Sequence, residues 1–190
     1  GPSGSGKSTA MNMVGALDLP SKGIIYLDGK DISKLDESDL AQIRGKKIGF
    51  IFQQFNLIPT MTALENVALP MMFQGEPKEK REQRARELLE MVELGTRLDH
   101  KPYEMSGGQQ QRVAIARSLV NEPEVVLADE PTGNLDSKTS GIVMDFLQDL
   151  HTNKKTTIIM VTHDPDTAKF ANRVEYLHDG QMIKTRRKKK

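Results

Sequence analysis

The chain has 190 residues, 27 Lys and Arg against 26 Asp and Glu, and no cysteine. That length makes one domain with room for a real core, and the near-neutral balance gives no bulk electrostatic case for nucleic acid. The absence of cysteine excludes disulfides and thiolate metal sites, and no run of about 18 apolar residues is present to span a bilayer as a helix.

The chain opens with Gly1, Pro2, Ser3, Gly4, Ser5, Gly6, Lys7, Ser8 and Thr9. Glycine, four residues and Gly-Lys-Ser is the phosphate-binding loop pattern. Its glycines let backbone N–H groups close round a β-phosphate. Lys7 supplies a point charge to the β/γ-phosphates, and the Ser8 hydroxyl is placed to ligate Mg²⁺. Met11, Met13, Val14 and Leu17 continue as an apolar helix whose positive end faces the anion. Such a loop normally hangs between a buried strand and its helix, and nothing precedes Gly1. The chain is therefore expected to be the C-terminal part of a longer protein, with its N-terminal strands missing.

Residues 18–23 read as a turn, and 24–27 as a short strand ending at Asp28-Gly29, a hairpin signal. A short helix is predicted over 35–44 and a buried strand over 47–52. From 60 to 121 the pattern turns helical, an inserted subdomain. Thr62 with Glu65 three residues on forms a capping box; Pro70 and Gly75-Glu76-Pro77 are expected to break that helix. A second helix covers 78–93, with Ala85, Leu88, Leu89 and Val92 on one stripe and a solvated charged face. A third starts near Ser106 and is stopped by Asn121-Glu122-Pro123.

Strand and helix then alternate: strand 124–128, helix 137–150, strand 156–161, helix 164–171, strand 174–177, a turn at Asp179-Gly180, and a last strand around Met182-Ile183. Apolar strands separated by helices predict an α/β fold, a mainly parallel sheet covered by helices. Six of the seven residues in 184–190 are basic; this tail is expected to be disordered, because like charges repel and bury nothing.

Four further clusters carry chemistry. The strand before Asp129-Glu130 puts acidic residues at the crevice where parallel sheets bind ligands. Asp129 suits Mg²⁺ there, and Glu130 is free to orient or deprotonate a water; a helix cap or turn is the alternative. Ser106-Gly107-Gly108-Gln109 opens a helix with an N-cap and two glycines, a second anion site or a plain capped helix. Gln53 ends an apolar strand and suits Mg²⁺, the attacking water or a mere turn. His163 follows a strand and, taken alone, is a structural hydrogen-bonder; the four histidines show no metal-ligand spacing.

In order, these clusters resemble the nucleotide-binding domain of ATP-binding cassette (ABC) transporters, a P-loop NTPase fold with an inserted helical signature subdomain. Residues 1–8 look like Walker A, Gln53 the Q-loop glutamine, and Ser106-Gly107-Gly108-Gln109 the signature. Residues 125–129 look like Walker B, with Glu130 the catalytic glutamate, Asn134-Leu135-Asp136 the D-loop and His163 the switch histidine. Phe52-Gln53-Gln54-Phe55-Asn56-Leu57-Ile58-Pro59, Thr62-Ala63-Leu64-Glu65-Asn66-Val67 and Asp129-Glu130-Pro131-Thr132-Gly133-Asn134-Leu135-Asp136 look like the lipoprotein-releasing, macrolide-exporting and cell-division group. Met105 stands where the signature usually has leucine, and the adenine-stacking aromatic residue would lie upstream of Gly1.

The resemblance implies an ATPase using ATP and Mg²⁺, with Ser8, Gln53 and Asp129 at the metal. Glu130, Gln53 and His163 would be catalytic and residues 1–9 would bind ATP. It implies a head-to-tail homodimer in which Ser106, Gly107, Gly108 and Gln109 complete the partner's site. It also implies a separate membrane permease subunit and a peripheral place on the cytoplasmic face of the cell membrane. Two alternatives stay open: the cell-division branch, which transmits force without translocated cargo, and a soluble ABC ATPase of DNA repair or translation. Repair members insert coiled coils or zinc-binding cysteines, absent here.

Overall fold

A computed structural model of the chain describes residues 1–2, 4–27 and 29–187. Helix α1 (Lys7–Val14) leads to an antiparallel pair, β1 (Tyr26–Leu27) and β2 (Lys30–Asp31), then α2 (Glu37–Lys47) and β3 (Ile48–Ile51). The helical block is α3 (Ala63–Phe73), α4 (Lys78–Met91) and α5 (Gly107–Leu119). Next come β4 (Val125–Asp129), α6 (Ser137–Lys154), β5 (Thr157–Val161), the short α7 (Pro165–Ala168), β6 (Arg173–His178) and β7 (Gln181–Arg187).

Strands β3, β4 and β5 pair in that order, parallel and in register, with Phe50 opposite Leu127 and Leu127 opposite Ile159. The strand period of two sends alternate side chains to opposite faces. Val126, Ala128 and Ile51 join the large core built with α3, α4, α5 and α6, while Leu127 and Ile48 pack with Met11 of α1. Helices therefore cover both faces, as the alternation of elements predicts. The parallel strands all deliver their C-terminal ends to one edge, where Gln53, Asp129, Glu130 and His163 follow.

Helix α3 starts on the expected capping box: Thr62 Oγ1 accepts from Glu65 N–H at 3.2 Å, and Glu65 Oε2 accepts from Thr62 N–H at 2.8 Å. Pro70, expected to break this helix, lies inside it. The proline removes one backbone donor, but Val67 and Met71 on the same helix are 0% and 6% exposed, and their burial holds the helix across the gap. Behind the cap, Asn66 is fully buried. Its amide donates to the carbonyls of Ile58, Met61 and Thr62 and accepts Ile58 N–H at 2.7 Å, fixing the loop that runs from Gln53 to α3.

The basic C-terminal segment corrects the expectation of disorder. Lys184 to Arg187 belong to β7, paired antiparallel with β6. Glu175 bridges its cross-strand neighbour Thr185 and Arg173, and the Lys184 ammonium lies 5.8 Å from the Tyr176 ring centroid. Ladder bonds and these contacts offset the like-charge repulsion. Lys188, Lys189 and Lys190, like Ser3 and Asp28, lie outside the described residues. Helix α6 runs four residues beyond its predicted end, and α7 ends three residues before its own.

Candidate active site

The glycine-rich loop turns into α1 at Gly6, which sits at φ 90°, a left-handed conformation open to glycine at no steric cost. No side chain caps α1, so its first N–H groups point out of the helix end. The Lys7 ammonium donates to the carbonyls of Gly1 (2.9 Å) and Pro2 (2.7 Å). The loop is braced from behind by the β6–β7 turn, where Gly180 N–H donates to Ser5 carbonyl at 3.0 Å. Ser5 is buried, while Ser8 and Thr9 are exposed; Pro2 and Gly4 are exposed on the loop. Ser3 lies outside the described residues.

At the strand ends, Glu130 and His163 meet. Glu130 Oε1 accepts the backbone N–H of His163 at 3.1 Å and contacts its Nδ1 at 2.7 Å. The Glu130 side chain is 15% exposed and that of His163 is 69% exposed. Glu130 itself sits at φ 47°, a left-handed conformation uncommon for a residue with a Cβ. Its N–H donates to Val161 carbonyl of β5 at 2.9 Å, and its carbonyl accepts Gly133 N–H at 3.0 Å. This local strain at a strand end aims the carboxylate out of the sheet edge, a feature that clusters at functional sites. Asp129, half-buried, is the last residue of β4.

Gln53 is brought to the same edge by a residue to which the sequence assigned no separate role. Asn134 Nδ2 donates to Gln53 carbonyl at 2.8 Å, and Gln53 Nε2 lies 3.5 Å from Asn134 Oδ1. With its nitrogen turned to Asn134, Gln53 has its Oε1 left to meet a cation or a water. Asp136 caps α6, accepting Thr139 N–H at 3.0 Å and Thr139 Oγ1–H at 2.7 Å. These bonds, the Thr139 hydroxyl first, hold its carboxyl below the usual range.

Ser106 caps α5 in a full capping box with Gln109: Ser106 Oγ accepts Gln109 N–H at 3.3 Å, and Gln109 Oε1 accepts Ser106 N–H at 2.9 Å. The N–H groups of Gly107 and Gly108 are the ones a helix start leaves without an intrahelical acceptor. Gly108 has a packing reason too. A Cβ there would stand 2.5 Å from Thr139 Cγ2, so α5 and α6 could not approach as they do. Met105, in the usual leucine place, is buried in the large core.

Two polar residues of α5 reach the site loops and carry no motif of their own in sequence. Gln111 is fully buried and donates to the carbonyl of Pro131 at 2.6 Å. The Arg117 guanidinium donates to the carbonyls of Asn56 (2.6 Å) and Phe55 (2.8 Å), and burial pushes its pKa down. Their spacing from the apolar Ile115 and Ala114 was the available signal, since both fall on helix faces that bury neighbours.

This is the apparatus of a nucleotide-hydrolysing P-loop protein: an anion-binding helix start, and carboxylate, amide and imidazole groups gathered at the C-terminal edge of a parallel sheet. The profile of the ABC transporter family matches residues 1–133. The chain is 48% identical to the lipoprotein-releasing system ATP-binding protein LolD of Pseudomonas fluorescens, over 96% of this chain and 81% of that protein. It is 50% identical to the macrolide export ATP-binding/permease protein MacB of a Shewanella species, over 100% of this chain and 29% of that protein. The fold matches the dimeric ATP-binding cassette MJ0796 of Methanocaldococcus jannaschii, bound to ADP and Pi, with a TM-score of 0.90 and 49% identity. That match covers 98% of this chain and 82% of the other.

The chain belongs to the ABC transporter family. It is the ATP-binding subunit, an ATPase that turns ATP and water into ADP and phosphate. No helix among the described residues is long and apolar enough to cross a membrane.

Proposed function

We propose that two copies of this chain close head to tail on two ATP molecules and drive a separate membrane permease at the cytoplasmic face of the cell membrane. The observation that carries the catalytic part is the Glu130–His163 pair at the parallel-strand edge. Residues 1–9 hold the phosphates, with the Lys7 ammonium exchanging loop carbonyls for phosphate oxygens. Glu130 orients the attacking water and takes its proton. His163 holds the Glu130 carboxylate by two contacts and reaches the γ-phosphate side from its exposed position. Phosphoryl transfer asks mainly for positioning and charge, and these residues supply both.

The donor set of Ser8 hydroxyl, Gln53 Oε1 and Asp129 carboxylate is all hard oxygen, which fits Mg²⁺. Bound there with the nucleotide, the ion would neutralise charge on the β- and γ-phosphates. Ser106, exposed, and the partly buried Gly107, Gly108 and Gln109 make a helix start with two donor N–H groups, which suits the γ-phosphate of the other copy's ATP; a dimeric relative bound to ADP and Pi supports the two-copy reading. Asp136, as the cap of α6, keeps the D-loop in place beneath it.

For the membrane partner, the supporting feature is an open groove of about 590 Å³ between α2, β3 and the helical block. Phe50, Phe52, Pro70 and Arg117 line it, and Phe73, 67% exposed, stands in it. MacB is named for both ATP-binding and permease parts, and this chain spans 29% of its length. Lipoprotein or macrolide cargo belongs to those relatives. The test of the catalytic reading is Glu130→Gln in the full-length chain: ATP binding should persist and phosphate release should stop.

A further inference from the structure

We propose that Gln111 is a positioning residue that ties the Ser106 end of α5 to the Glu130 loop of the same chain. In the dimer, this lets occupation of one shared site set the catalytic glutamate of the other. The proposal rests on the shared-site dimer proposed above.

Gln111 lies one helical turn beyond the two glycines of the signature, so it moves rigidly with the helix end that meets the partner's nucleotide. Its side chain is 0% exposed. Nε2 donates to Pro131 carbonyl at 2.6 Å, while Oε1 has no hydrogen-bond partner among the described residues. A buried amide with one atom unpaired costs stability that methionine or leucine in the same volume would avoid. A sequence that keeps such a group breaks the rule for cores, and such breaks mark functional positions.

The acceptor explains the position. Pro131 is buried and follows Glu130 directly. Its ring fixes φ, so a single torsion, ψ of Pro131, separates the anchored carbonyl from the Glu130–Pro131 peptide. Glu130 is held at φ 47° in this loop, closed behind it by Gly133 N–H to Glu130 carbonyl at 3.0 Å and Leu135 N–H to Thr132 carbonyl at 3.1 Å. A shift of α5 at its Ser106 end is therefore passed to the peptide beside the catalytic carboxylate. Farther along the same helix, Arg117 grips the carbonyls just after Gln53. One rigid element thus holds both loops of its own chain's site, while its exposed end serves the other site.

Mixed dimers of the full-length chain, isolated with two tags, separate this role from simple support of the helix. One chain carries Glu130→Gln, so a single site turns over, and phosphate release is followed in a single turnover of ATP with Mg²⁺. Gln111→Met is placed either on the chain with intact Glu130 or on the Glu130→Gln chain, whose Ser106 end serves the working site. The proposal expects a loss of about 10-fold to 100-fold with the first placement, the scale of an ångström-level misplacement of a catalytic group. ATP affinity should be unchanged, and the second placement should lose less by at least tenfold.

A folding defect would strike both placements alike, so the difference between them is immune to it. Equal losses, or a greater loss with the second placement, would mean that Gln111 only supports its own helix. No loss in either would also overturn the proposal. The dimer reading fails separately, if Lys7→Ala and Ser106→Arg chains show no recovered ATP occlusion when mixed. With that recovery and no placement effect, only the role of Gln111 falls.

Discussion

Replacing Glu130 with glutamine changes one oxygen for an amide nitrogen and little else. The remaining carbonyl oxygen can still accept His163 N–H, now at 3.1 Å from Oε1, and glutamine adopts the same left-handed backbone at φ 47° with no added steric load. Exchanging a charged for a neutral acceptor should cost about 1 kcal/mol of stability. The chemistry loses far more. Removing a general base costs about 10²–10⁴ in rate, which is about 2.7–5.4 kcal/mol of barrier at 1.36 kcal/mol per decade. Affinity should hold, because the phosphates bind at the loop before α1. The assay is single-turnover release of phosphate beside equilibrium binding of a fluorescent ATP analogue, both on the full-length protein. Hydrolysis within about threefold of wild type, far inside the expected loss, would remove Glu130 from its role.

Asn66→Ala deletes a fully buried amide whose two N–H donors are shared among three carbonyls and whose oxygen accepts one N–H, three hydrogens in all. At about 1 kcal/mol each, the loss should be about 3 kcal/mol by urea unfolding; a loss below about 1 kcal/mol would contradict the buried network. Thr139→Val removes the hydroxyl that does most to hold the Asp136 carboxyl low. A carboxylate whose folded pKa is depressed adds stability above its unfolded value, about 3.9, and loses it as pH falls through the folded value. Thr139→Val should therefore raise the Asp136 pKa, seen by carboxyl NMR titration, and move acid unfolding to higher pH. An unmoved Asp136 titration would refute the assignment.

The candidate site at the strand ends was legible because its parts are local. A strand ending in Asp129-Glu130, a capping box at Thr62 and Glu65, and a glycine-rich loop before a helix each declare themselves within a few residues. Their alternation also gave the parallel sheet covered on both faces. What failed to show was tertiary. Pro70 reads as a breaker, yet burial of Val67 and Met71 carries α3 through it. The basic run after Ile183 reads as disordered, yet strand pairing with β6 orders it as far as Arg187. Gln111 sits in a run of three glutamines. Its three- and four-residue spacing to Ala114 and Ile115 puts it on a burying face, but only the packing of α5 between sheet and helical block shows Pro131 as its acceptor. Asn134 was within a motif, but its bond to Gln53 spans 81 residues of sequence.

In the proposed head-to-tail dimer, each active site is built from two chains, Gly1 to Thr9 of one and Ser106 to Gln109 of the other. Take Lys7→Ala in one full-length chain and Ser106→Arg in another. Each homodimer then has two damaged sites and should fail to occlude ATP. In the mixed dimer one site collects both lesions and the other none, so mixing should restore occlusion at one site. A site contained within one chain predicts no recovery, and its absence in a mixture shown to form heterodimers would contradict the account.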